Sequence, residues 1–173
     1  MQIIETMKPG ASIRVHVERA YAYDPEHGVW LRRQVEDDEV VHNILTNTGR
    51  VQLHTQCYAT SAILTNGFNY IGLAASTNAP VATDTTLAST QTGELSGSGL
   101  TRVQGVVVLP TGSGNVTTVS NTFTFTGGGS QAIGSAALFT AVSSGVMNHE
   151  NNFTIRTLFN GDTLSLTFTI TLG

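Results

Sequence analysis

Residues 163–172 alternate without a break: Leu164, Leu166, Phe168, Ile170 and Leu172 share one parity, and Thr163, Ser165, Thr167, Thr169 and Thr171 the other. A repeat of two is the signature of a strand, and it sends every apolar side chain to one face. A sheet with one apolar face needs a second layer to cover it, so this pattern commits the chain to a packed β architecture. Weaker forms of the signal recur upstream. They predict strands over 68–73, over 100–109 with Val106-Val107-Val108 inside, over 116–126, 132–141 and 153–159. Pro110 and the turn Gly112-Ser113-Gly114 end the second of these, and Asn160-Gly161-Asp162 is a tight-turn signal predicted to join the last two strands as a hairpin. Short strands separated by turns indicate a mainly β protein with an antiparallel β-sandwich or jelly-roll-like body.

Charge divides the chain. Residues 1–50 hold six of the eight basic and eight of the twelve acidic residues, while the remainder is rich in Thr, Ser, Asn and Gly. This predicts an N-terminal arm over 1–36 and a body over 37–173. In the arm, Ile13, Val15 and Val17 alternate with Arg14, His16 and Glu18. Asp24-Pro25-Glu26-His27-Gly28 supplies turn chemistry, and Val29-Trp30-Leu31 is the expected return strand of a hairpin. Asp37-Asp38 can cap a helix, and Val41, Ile44, Leu45 and Thr48 follow at helical spacing, so the one helix is predicted from there to about residue 58.

Composition excludes several functions. A formal net charge of −4, with Lys8 the only lysine and Arg32-Arg33 the densest basic cluster, does not suit nucleic-acid binding. The start, MQIIETMKPG, lacks a basic segment followed by an apolar run, so no signal peptide is expected. No stretch approaches 18 apolar residues, so no membrane helix is expected either. Charged residues make up 12% of the chain, about half the usual share. A surface built of hydroxyls and amides suits contact with neighbouring subunits.

Catalytic chemistry finds no foothold. Lys8 lies outside any glycine-rich turn, which removes a P-loop, and no Gly-x-Ser-x-Gly elbow occurs. Paired carboxylates for glycoside hydrolysis would have to come from Asp84, Glu94, Glu150 and Asp162. Asp84 and Asp162 are explained by turn hydrogen bonding, and Glu36-Asp37-Asp38-Glu39 reads as a solvated helix start. Cys57 with His42 and His54 carries the donor types of a zinc site, but a small core cysteine beside surface or interface histidines is the stronger reading. Asp84 lacks the acid-rich loop that calcium requires. The expectation is no catalytic residue, no cofactor and no metal.

From about residue 42 onward the chain resembles a recurrent family of small tailed-phage virion proteins. The resemblance rests on the order of His42-Asn43-Ile44-Leu45-Thr46-Asn47-Thr48-Gly49-Arg50, Asn69-Tyr70-Ile71-Gly72-Leu73, the run 77–87 (TNAPVATDTTL), Ala132-Ile133-Gly134-Ser135-Ala136-Ala137-Leu138-Phe139 and Gly161-Asp162-Thr163-Leu164. Such proteins are capsid decoration (cement) proteins or attachment modules of tail fibres. The resemblance therefore implies a non-enzymatic β module on the particle surface, used as a homo-oligomer, often a trimer. Its partners would be the major capsid protein or, alternatively, neck, tail or baseplate proteins. A host carbohydrate-binding module is a third reading, for which one tryptophan and four tyrosines are a thin supply of aromatic platforms. The arm lies outside the resemblance. Its aromatic and basic residues, Tyr21, Tyr23, Trp30, Arg32 and Arg33, are the expected partner contacts, because aromatics and arginine are enriched where interfaces bind tightly.

Overall fold

The computed structural model describes residues 10–34, 39–42, 44–49, 67–75, 78–87, 93–111 and 116–171, with the backbone alone at 10, 11, 21, 32–34 and 44. The described strands, in chain order, are β1 (Gly10–Asp24), β2 (Val29–Gln34), β3 (Glu39–His42), β4 (Ile44–Leu45), β5 (Tyr70–Ala74), β6 (Val103–Gln104), β7 (Val106–Val108), β8 (Val116–Thr124), β9 (Ser130–Phe139), β10 (Met147–Phe159) and β11 (Thr163–Thr171). They form two antiparallel sheets. The first runs β2-β1-β11-β8-β7, with β3 also on β1; the second runs β4-β10-β9-β5-β6.

The alternation of β11 explains how the layers meet. Leu164, Leu166 and Phe168 are fully buried, and they pack with Ile13, Val15, Val119 and Phe123 of the same sheet against Ile71, Leu73, Ile133, Leu138 and Leu158 of the other. Burying each such side chain contributes about 1.5–3 kcal/mol, which is what holds the layers face to face. The body is the antiparallel β-sandwich that the pattern predicts. On the outer face of the first sheet, Thr118, Ser120 and Thr122 stand opposite Thr169, Thr167 and Ser165. The hydroxyls of Thr122 and Ser165 are 2.7 Å apart. That face needs no cover because it is polar.

The second sheet is covered on both sides. Ala74, Ala137, Phe139 and Met147 form a second cluster with Leu87, which the loop 78–87 lays across the outer face. Burial of both faces explains why β9 is almost continuously buried from Ile133 to Phe139 and shows no period of two.

Four features depart from the sequence expectations. Residues 39–42 and 44–45 form β3 and β4, not a helix; of the described residues in this stretch only 47–49 are helical, while 37–38, 43 and 50–58 lie outside the described residues. β3 pairs with β1 over Val15–Ser12 and β4 pairs with β10 at Glu150 and His149. Two sheet edges open to pairing outweigh a local period of three to four. The predicted strand over 100–109 is split at Gly105. β6 belongs to one sheet and β7 to the other, and a Cβ on Gly105 would come within 2.8 Å of Val119. The final two strands are not a hairpin, since β10 and β11 lie in different sheets. Finally, β1 joins arm to body. Its residues 10–18 pair with β11, and Ile13, Val15 and Val17 are core residues, so the charged segment leaves the sandwich only beyond Glu18.

Candidate interaction surface

Beyond Glu18, β1 pairs with β2 alone among the described residues, making a two-stranded ribbon that runs past the sandwich. Its tip follows from the sequence. Gly28 takes φ +66°. The Asp24 carboxylate accepts from the Glu26 and His27 backbone N–H groups at 3.0 and 3.3 Å and meets His27 Nδ1 at 2.7 Å. The His27 side-chain bond, more than the backbone donors, holds the Asp24 carboxyl below its ordinary range.

The root of the ribbon is built by the turn between β10 and β11. Asp162 is 1% exposed, and its Oδ1 accepts from the Ala20 N–H at 2.9 Å. Its Oδ2 accepts from the Phe159 N–H at 2.9 Å and from Arg19 Nη1 at 3.3 Å. The turn also bonds to Phe125, which donates to the Asp162 carbonyl and accepts from the Gly161 N–H. These long-range bonds carry the chain from one sheet to the other, which is why Asn160-Gly161-Asp162 does not close a hairpin. Gly161, at φ +87°, lets the turn approach the ribbon: a Cβ there would lie 3.1 Å from Ala20 and 3.3 Å from the Trp30 indole. The Arg19 guanidinium stacks 5.1 Å from the centre of the Phe159 ring.

On this root stands an apolar ribbon. Tyr23 and Trp30 are cross-strand partners with ring centres 5.3 Å apart at 58°. They are 51% and 42% exposed, and Val29 and Leu31, which point to the opposite face, are 49% and 40% exposed. Both faces of the ribbon therefore offer apolar side chains to solvent, which a free protein usually avoids and an interface uses. Between Ala20 and Ala22 the register with β2 shifts, leaving Tyr21 as the extra residue of a bulge. A bulge sharpens the strand twist and turns the ribbon relative to the sheet.

Of the contact residues expected from the sequence, the structure thus brings Tyr23 and Trp30 together. Arg32 and Arg33 pair through their backbones with Ala20 and Arg19. The side chains of Tyr21, Arg32 and Arg33 lie outside the described residues. Arg19, Phe159, Gly161 and Asp162 support the ribbon and were not expected to. The signal for Asp162 was present in an aspartate just after a turn glycine, but its distant acceptor role could not be read from local sequence.

Glu94, Asp84 and Glu39 are held by structural partners. Glu94 makes a bidentate pair with Arg102 through Nε and Nη2. Arg102 Nη1 donates to the carbonyls of Ala141 and Ser144, and its guanidinium lies 3.4 Å from the centre of the Phe139 ring. Glu94, Arg102, Phe139 and Ser144, with Leu87 and Gly145, line a cleft of about 430 Å³. Every nitrogen of that guanidinium is engaged, so the cleft offers a substrate no cationic handle from Arg102. Asp84 closes its own loop, accepting from the Val81 N–H at 2.8 Å. Glu39 ties the two sheets. It accepts from the Thr154 N–H at 2.9 Å and from Arg156 Nη2 at 3.0 Å, at a point where β10 loses register with β9. Glu150 is fully buried in β10. Among the described residues no three His, Cys, Asp or Glu side chains gather as a metal site; Cys57 and His54 lie outside them.

Compared with known proteins, the chain matches no protein-family model, and no curated protein aligns with it significantly.

Proposed function

We propose that the protein is a non-enzymatic structural component of a tailed-phage particle: a capsid decoration protein that sits on the virion surface as a homo-oligomer and grips the major capsid protein through the β1–β2 ribbon. The observation that carries this reading is the ribbon itself, with exposed apolar side chains on both faces, projecting from a body in which Asp84, Glu94 and Asp162 make structural bonds. An exposed aromatic pair on such a root is the kind of anchor that fills a partner's pocket, and the edge of β2, unpaired among the described strands, can accept a strand from that partner. The sequence resemblance supports the setting, and the sparse charge supports a life spent against neighbours.

Gold labelling of intact particles with an antibody to the β body tests the setting. Label spread over the head is the expected result. Label confined to the neck or tail would replace the decoration role with an adaptor or fibre-attachment role for the same ribbon. The contact itself is tested by Trp30→Ala, which should cut occupancy on the particle at least tenfold while leaving the melting temperature of the body within a few degrees. Unchanged occupancy would remove the ribbon from the interface.

A further inference from the structure

The two edges of the first sheet differ in kind. The β2 edge carries Arg32 and Arg33 in its sequence, whereas the other edge, β7, is Val106-Val107-Val108 followed by Leu109. These four are 67%, 39%, 59% and 67% exposed, and Val103 and Val116 beside them are 37% and 41% exposed. Between Arg102 and Glu150 the sequence contains no Asp, Glu, Lys or Arg at all. Arg102 itself is turned away and held by Glu94, with 9% of its side chain exposed. Natural sheets protect a free edge by keeping it short or with lysine, an inward charge, a proline or a bulge, because an unprotected edge pairs with another strand. β7 is short, at three residues, but has no charge, proline or bulge within it, and among the described residues no strand lies on its outer side.

We propose that β7 is the self-association edge of this protein, pairing antiparallel with β7 of a second copy about a two-fold axis through Val107. The charge pattern selects the occupant. A two-fold contact sets each side chain against its own copy or a near neighbour, so any charge close to the axis would meet its like. A strip free of charge suits this pairing, whereas a contact between β7 and the β2 edge of the next copy would bring arginine-bearing sequence onto valines. The register follows from the ends. Gly105 donates its N–H to Asn69 within the chain, and Pro110 has no N–H to give, so pairing is confined to 106–109, within which the strand itself, Val106–Val108, centres on Val107. In that register Val106 stands beside Val108 of the second copy on the hydroxyl face, and Val107 meets its own copy on the face it shares with buried Val119. The two first sheets become one continuous sheet. A two-fold pairing is a different symmetry from the trimer implied by resemblance, and it does not depend on what the ribbon binds.

The test is the solution mass of the full chain, by light scattering and sedimentation over a wide concentration range. The expected result is twice the 18.3 kDa chain mass, falling to the chain mass in Val108→Lys with an unchanged circular dichroism spectrum. Trp30→Ala should keep the double mass, which separates this inference from the ribbon's role. A second variant guards against misfolding: Val107→Cys in a Cys57→Ser background. Facing residues in an antiparallel pair have Cα atoms about 4.5–5.5 Å apart, within disulfide range, so mild oxidation should give a covalent dimer, absent from Cys57→Ser alone. A wild-type chain that stays at its single mass, a three-chain mass, or a dimer that survives Val108→Lys and does not crosslink through Val107→Cys would each overturn the proposal.

Discussion

Removing the Asp162 carboxylate should detach the ribbon root and cost much of the stability of the fold. The side chain is 1% exposed and accepts from two backbone N–H groups, on Ala20 and Phe159, and from Arg19. Asp162→Ala leaves both backbone donors without their charged acceptor, at about 1–2 kcal/mol each for a partly buried group. Arg19 is 35% exposed, so losing its ion pair adds less than about 1 kcal/mol. The expected total is about 3 kcal/mol, against the roughly 5–15 kcal/mol that holds a typical domain together. Asp162→Asn keeps one acceptor but turns an –NH₂ towards the other donor, and should cost about 2 kcal/mol. Arg19→Ala should cost under about 1 kcal/mol. Urea midpoints at a common slope measure the three values. Hydrogen exchange at Ala20 and Phe159 shows whether the loss is seated at the root. If Asp162→Ala falls within the range of Arg19→Ala, and both amides keep their protection, the account of the root is wrong.

Four other substitutions probe three further features of the molecule. Gly161→Ala and Gly129→Ala both place a side chain at φ +87°, but only Gly161 has neighbours within 4 Å; thermal melts should show Gly129→Ala losing about 1 kcal/mol and Gly161→Ala clearly more. His149 is 5% exposed, between Leu45 and Leu138 on adjacent strands and next to Asn148 and Glu150 in β10. Burial pushes its pKa from 6.5 down to about 4, so between those values the unfolded chain takes up a proton that the folded one refuses. Stability should therefore fall as pH drops from about 6.5 to 4, by up to about 3 kcal/mol, and His149→Leu should flatten that part of the urea-midpoint profile relative to wild type. Glu39→Ala removes the tie between β3 and β10 and should cost about 1–2 kcal/mol in urea denaturation, with exchange rising at the Thr154 amide.

Much of the sandwich was legible because a half-buried strand writes its burial directly into sequence. β11 alternates Leu, Phe and Ile with Thr and Ser since one face meets the core and the other meets water. β1 does the same at Ile13, Val15 and Val17. The hairpin tip was equally local: Asp24 and Gly28 need only their neighbours to form the turn. Tyr23 and Trp30 could be picked out as aromatics in an arm, though not as touching partners.

What the sequence left open depended on groups far apart in the chain. Val41, Ile44 and Leu45 have helical spacing, but edges supplied by β1 and β10 draw them into strands. Asn160-Gly161-Asp162 has the composition of a hairpin turn, yet bonds from Ala20 and Phe125 send β11 to the other sheet. Val106-Val107-Val108 reads as the middle of one strand over 100–109, and only the end of the described sheet order at β7 makes it an exposed edge. Local sequence determined that this protein has strands, which faces are apolar and where the chain turns, because those depend on side chains a few residues apart. Tertiary structure alone decided which strands pair and which edges stay open, because a backbone hydrogen bond has the same chemistry whichever strand supplies the other half.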